Sequence, residues 1–140
     1  MSTNWGLPHY EVDHEWGYGI AFKLVAPQPL DPIKLEDMAR DLMKEIADEC
    51  VKQGATMIGH VKCILHTTGG WVKADTIGVK YGVYVKSELA NPQSEGTLVI
   101  NSIIVGLDKN KIIDITKTLG KAIPERYGFT ATALDKKGMT

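Results

Sequence analysis

Four histidines, His9, His14, His60 and His66, carry the widest chemical repertoire in this chain. Imidazole exchanges protons near neutral pH and ligates metals. His60 and His66 have the same parity on one predicted strand. Six residues at strand rise separate them by about 20 Å, so they cannot share a metal ion within one subunit. His9, Asp13 and His14 form a looser group near the N-terminus that could meet a strand histidine in space. Lys62 lies two residues from His60, so their side chains emerge together on one face. Lys23, Lys80, Lys86, His66 and Tyr84 are assigned to that same face. A basic, polar sheet face resembles a nucleic-acid-binding sheet in outline, but here Tyr84 is its one aromatic and a stacking platform is missing. With 16 basic and 17 acidic residues the net charge is −1, which creates no field to gather nucleic acid or an anionic membrane. Ile58, Ile64 and Tyr84, rimmed by lysines, instead suit a contact with a second subunit or another protein.

The usual catalytic signatures are missing. There is no Gly-x-x-x-x-Gly-Lys-Ser/Thr phosphate loop, Gly-x-Ser-x-Gly elbow or His-Glu-x-x-His helix. Gly17-x-Gly19 sits inside a strand pattern, without the helix that a dinucleotide fingerprint requires. The two cysteines, Cys50 and Cys63, have neither disulfide-framework nor metal-knuckle spacing and are read as buried, reduced thiols. No catalytic residue, metal set or cofactor is therefore assigned.

The elements that must position these groups follow from periodicity. Residues 1–15 are read as an N-terminal arm that packs through Trp5 and Tyr10, residues 16–134 as one domain, and residues 135–140 as a disordered tail. Trp16, Tyr18, Ile20, Phe22 and Leu24 alternate with Gly17, Gly19, Ala21 and Lys23, the period of a strand. The small residues imply a close approach to their face; Pro27 and Pro29 are expected to end the strand. Asp31-Pro32 opens a helix as cap and first residue. Leu35, Met38, Ala39, Leu42, Ile46 and Cys50 continue it, and Gly54 closes it. A hairpin turning at Gly69-Gly70 follows. Met57, Val61, Cys63 and Leu65 are placed on the core face of its first strand. Ile77, Val79, Tyr81, Val83 and Val85 are placed on the core face of a long return strand, Trp71 to Lys86, with a bulge or bend at Gly78 or Gly82. Residues 91–96 are read as a loop, 97–105 as a strand, and the stretch after Asp108 as a helix striped by Ile112, Ile115, Leu119 and Ile123. Pro124 ends or kinks that helix. Tyr127, Phe129, Ala131 and Ala133 suggest an edge strand.

The order β-α-β-β-β-α, with a final β, predicts an α+β two-layer sandwich, two helices on one face of an antiparallel sheet in a ferredoxin-like variant. At 140 residues, 44% apolar and 24% charged, the chain suits one domain with one core. The N-terminal segment has no signal-peptide pattern and the longest apolar runs are too short to span a bilayer, which points to a cytoplasmic protein without a membrane partner.

Ile58-Gly59-His60-Val61-Lys62 follows a long helix and precedes Gly69-Gly70-Trp71-Val72-Lys73-Ala74. Val99-Ile100-Asn101-Ser102 and a helix beginning near Lys109 come later. This order resembles the C-terminal domain of CobW-type P-loop GTPases, the cobalamin-synthesis and metal-chaperone family, over roughly residues 20–125. The phosphate loop and Cys-rich metal motif of that family are not in this sequence, so nothing catalytic carries over. The resemblance implies a stand-alone accessory domain that regulates a GTPase or selects its partner, with Gly59, His60, Lys62 and Asn101 as matching positions.

Two functions are compatible with these features. One is a non-enzymatic binding or regulatory module that docks through its open face, at Gly59, His60, Lys62, His66, Tyr84 and Asn101. Its partner is a second copy, in a homo-oligomer such as a dimer, or a separately encoded GTPase or corrinoid-linked protein. The other is a small enzyme or metal carrier whose site is built at a subunit interface around His60 and Lys62, with His66, His9 and His14. The absence of paired acid, base and nucleophile favours the first.

Overall fold

The computed structural model describes residues 16–134. The arm with Trp5, Tyr10, His9, Asp13 and His14, and the tail 135–140, lie outside the described residues. β1 (Gly17–Leu30), α1 (Pro32–Lys52), β2 (Met57–Thr67), β3 (Gly70–Thr76), β4 (Tyr84–Leu89), β5 (Gln93–Val105), α2 (Lys109–Arg126) and β6 (Thr130–Leu134) follow in order. The strands form one antiparallel sheet in the order β4-β3-β2-β5-β1-β6. β1, β2, β5 and β6 with the two helices make the ferredoxin-like split β-α-β arrangement. The β3–β4 hairpin extends its sheet beyond β2. No helix of the described residues is long and apolar enough to cross a membrane.

The helix-side core has the composition that the periodicity requires. Tyr18, Ile20, Phe22 and Leu24 of β1 are buried there with Val61, Cys63 and Leu65 of β2 and Leu98, Ile100 and Ile104 of β5. α1 buries Leu35, Met38, Ala39, Leu42, Ile46 and Cys50, joined by Met43 and Ala47. Pro32 opens it, but the Asp31 side chain makes no capping bond. Asp108 does cap α2, accepting from the Asn110 N–H at 3.1 Å. Pro124 sits two residues before the end of α2, where the helix is already stopping.

Three expectations are corrected. β1 continues through Pro27 and Pro29 to Leu30: its register against β5 slips between Val25 and Leu30, so the prolines fall where no ladder bond is needed. β5 begins at Gln93, inside the segment expected to be a loop. The long return strand is two strands. β3 stops at Thr76, the chain turns through a short 3-10 helix (Val79–Tyr81), and β4 comes back antiparallel to β3. The Thr76 hydroxyl closes this loop, donating to the Gly82 carbonyl at 2.7 Å and accepting from the Gly78 N–H at 3.2 Å. Gly82 has φ +75°, which favours glycine. Ile77, Val79 and Tyr81 are consequently exposed rather than in the core.

Cys50 and Cys63 are fully buried free thiols, as expected, and burial pushes both up to about 12. An unfolded thiol loses its proton near 9, while the folded one keeps it. Between these values the unfolded chain binds fewer protons, so stability falls as pH rises from about 9 to about 12. Tyr127, also pushed up to about 12 by burial and its hydrogen bond to Asp41, adds a slope of the same sign. Urea titrations across that range should show the decline, reduced but not abolished in a Cys50→Ala/Cys63→Ala variant. A slope unchanged by removing both thiols would refute this assignment.

Candidate functional site

The site is built by strand register on the face away from the helices. β2 pairs with β3 through Thr67 and Gly70, which sets Lys62 opposite Asp75. Asp75 is opposite Tyr84 of β4. On the other side of Lys62 stands Asn101 of β5, and beyond it Gly19 of β1. Tyr84, Asp75, Lys62 and Asn101 therefore form one row across four strands. His60 joins it diagonally, its Nε2 at 2.8 Å from Asp75 Oδ2. With a carboxylate as acceptor, Nε2 carries the proton, which fixes the imidazole's orientation.

Gly59 sets the approach of His60. The β2–β5 register slips between Ile58 and His60, so Gly59 is the extra residue of a β-bulge. A Cβ there would lie 2.8 Å from the Ile103 carbonyl oxygen, so the close approach of β5 requires glycine. The bulge also reverses side-chain parity before it. Ile58 is buried in the helix-side core and Met57 is exposed, the opposite of the expected assignment.

The row is unequally solvated. Tyr84 is 71% exposed, whereas Lys62 is only 6% exposed. Burial lowers the pKa of the Lys62 ammonium, and the Asp75 charge opposes that shift. Asp75 lines two depressions together with Tyr84. One, of about 480 Å³, is lined by Ile77, Tyr81, Val83 and Tyr84; the other, of about 140 Å³, by Lys73, Ala74, Tyr84 and Lys86.

His66 stands apart, in a row with Trp71 and Thr97. Among the described residues its buried Nε2 has no hydrogen-bond partner, and burial, followed by the Lys73 charge, lowers its pKa. Between the two rows lies a second apolar cluster, Ala21, Ile64 and Val99, with Trp71 and Leu134 packed against it. Ile64 is 2% exposed, so the middle of this face is not the uncovered apolar surface that was expected. Lys80 lies in the 3-10 turn near the Tyr81 ring, not on the sheet face. Among the described residues no group of three His, Cys, Asp or Glu side chains is arranged to hold a metal.

Sequence reasoning missed Asp75. The signal was the hairpin turn: centring it on Thr68-Gly69, instead of Gly69-Gly70, places Asp75 opposite Lys62 at once.

No family profile and no curated protein matches this sequence. Two solved structures are similar to it. The Zn(II)-bound YjiA GTPase from E. coli is 13% identical, with a TM-score of 0.35, over 75% of this chain and 29% of that one. A Zn(II)-bound triple mutant of YjiA GTPase is 14% identical, with a TM-score of 0.34, over 74% and 30%. The likeness is to part of a GTPase. This chain spans about three-tenths of the length of either structure.

Proposed function

We propose that this chain is a non-enzymatic binding and regulatory module, resembling the C-terminal domain of the CobW-type GTPases. It docks a protein partner through the sheet face at His60, Asp75 and Tyr84, with the buried Lys62 beneath them. The observation that carries this reading is the row itself. An exposed tyrosine, an oriented imidazole and a carboxylate stand beside an open groove with apolar walls, the composition that anchors interfaces. The sequence resemblance supplies the partner class, a separately encoded GTPase or corrinoid-linked protein, and three residues of the resembling segments, His60, Lys62 and Asn101, fall in or beside the row.

The test is calorimetric titration of the chain against the P-loop GTPase encoded nearest to it. Tyr84→Ala and His60→Ala should each weaken binding about tenfold or more. His60 is partly solvated, so its replacement should change unfolding free energy by only about 1 kcal/mol. Lys62, being buried, does not share that expectation of a small stability change. Absence of binding, or binding indifferent to both variants, refutes the reading.

A further inference from the structure

Among the described residues β4 is the outermost strand on its side of the sheet. Its six residues alternate: Tyr84, Lys86 and Glu88 are exposed, while Val85, Ser87 and Leu89 are half-buried. Ser87 donates to Glu36 of α1, which places the second set on the helix side, and Tyr84 opposite Asp75 places the first on the open face. Within the chain, Lys86 faces Lys73, a like charge, and the Lys73 ammonium is held over the Trp71 ring at 4.7 Å. Glu88 faces Trp71. Among the described residues neither Lys86 nor Glu88 has an ion-pair partner.

We propose that β4 is a self-complementary edge that pairs antiparallel with β4 of a second copy, about a two-fold axis at Ser87, continuing the sheet from one subunit into the next. Opposed residues in an antiparallel pair share a face, so a symmetric pairing centres on a residue and not between two. Centring on Lys86 opposes two lysines, and centring on Glu88 opposes two glutamates; like charges directly opposite destabilise a strand pair. Centring on Ser87 sets Lys86 against the partner's Glu88 twice. On the helix side it sets Val85 against the partner's Leu89 twice, and both residues already pack on the core. The register therefore satisfies both faces of the edge at once, and gives Lys86 the carboxylate that its own sheet lacks. A lysine on an edge strand usually discourages pairing; an acid two residues along reverses that in this one register. The pairing is made by the Lys86–Glu88 and Val85–Leu89 contacts of β4, while Asp75, Lys62 and His60 lie on inner strands, so it does not depend on the proposed docking function.

Sedimentation velocity of the full chain at low salt, up to hundreds of micromolar, tests this. Wild type should show a reversible monomer–dimer equilibrium weakened by salt. Lys86→Glu and Glu88→Lys each turn both cross-strand pairs from attraction to repulsion and should weaken dimerisation roughly tenfold or more. The double variant Lys86→Glu/Glu88→Lys restores opposite charges and should recover it, which also shows that neither substitution acts by unfolding the chain. His60→Ala should dimerise like wild type. A monomer at every concentration, a dimer indifferent to the single reversals, or a double variant no better than the singles overturns the proposal. Loss of the dimer on His60→Ala alone would assign self-association to the sheet face and overturn it equally.

Discussion

Phe22→Ala is expected to lower the unfolding free energy by about 3–5 kcal/mol, the cost of deleting a buried aromatic ring. A domain of ordinary stability has about 5–15 kcal/mol in all, so this variant stands near the limit of folding. Phe22 is 2% exposed in the helix-side core, and α2 rests directly on it. A Cβ at Gly120 would lie 2.7 Å from Phe22 Cε2 and 2.8 Å from Ile100 Cδ1. Glycine within a helix costs about 1 kcal/mol relative to alanine. Here the absent methyl makes room for the ring. Gly120→Ala should thus destabilise the wild type, because overpacking costs about 1–3 kcal/mol and outweighs the gain in propensity. In a Phe22→Leu background the ring is gone, and the Ile100 methyl can rotate aside. The same Gly120→Ala should there be neutral or stabilising. Denaturant titrations of the four proteins give the coupling. Equal effects of Gly120→Ala in both backgrounds would show that the ring does not set the helix–sheet distance.

Asp75→Ala should cost about 1–3 kcal/mol, the loss expected when charge-assisted hydrogen bonding is removed from a partly buried group. Solvent screening at half-exposed Asp75 keeps the figure below that of a fully buried pair. Two groups are affected. His60 loses the acceptor at 2.8 Å that orients it, and Lys62 loses the charge that opposes the effect of burial on its ammonium. The sign of the pH dependence follows. The folded pKa of Lys62 is already below the unfolded value, so the folded ammonium is a cost at neutral pH that disappears as pH rises through the unfolded pKa. Asp75→Ala lowers the folded pKa further, so its deficit relative to wild type should shrink at alkaline pH. Lys62→Met should recover much of the loss in the Asp75→Ala background, by replacing a disfavoured charge with an apolar side chain of similar length. Asp75→Asn, which keeps an acceptor for His60, should be milder. A deficit that is constant with pH and insensitive to Lys62→Met would mean that Asp75 acts through His60 alone.

Local alternation and helical spacing determined much of this protein without reference to its tertiary structure. The β1 stripe Tyr18, Ile20, Phe22 and Leu24 and the α1 stripe from Leu35 to Cys50 are buried as their periods require, because both patterns are written within one element. The two-layer architecture follows, since two amphipathic helices and a set of alternating strands have few other ways to bury their apolar faces. Register was decided between elements. The bulge at Gly59 depends on the approach of Ile103 from a strand more than forty residues later, and it exchanges the faces of Met57 and Ile58. The turn at Gly78 and Gly82 depends on which carbonyls the Thr76 hydroxyl can reach, and it sends Ile77, Val79 and Tyr81 to solvent. The row Tyr84, Asp75, Lys62 and Asn101, with His60 bonded to Asp75, follows from pairings among four strands, each of which a shift of one residue would reverse. The sequence alone thus determined which residues prefer a core. Which polar residues become neighbours on the opposite face was a tertiary decision, because a side chain's neighbours across a sheet are set by hydrogen-bond registers that no single strand contains.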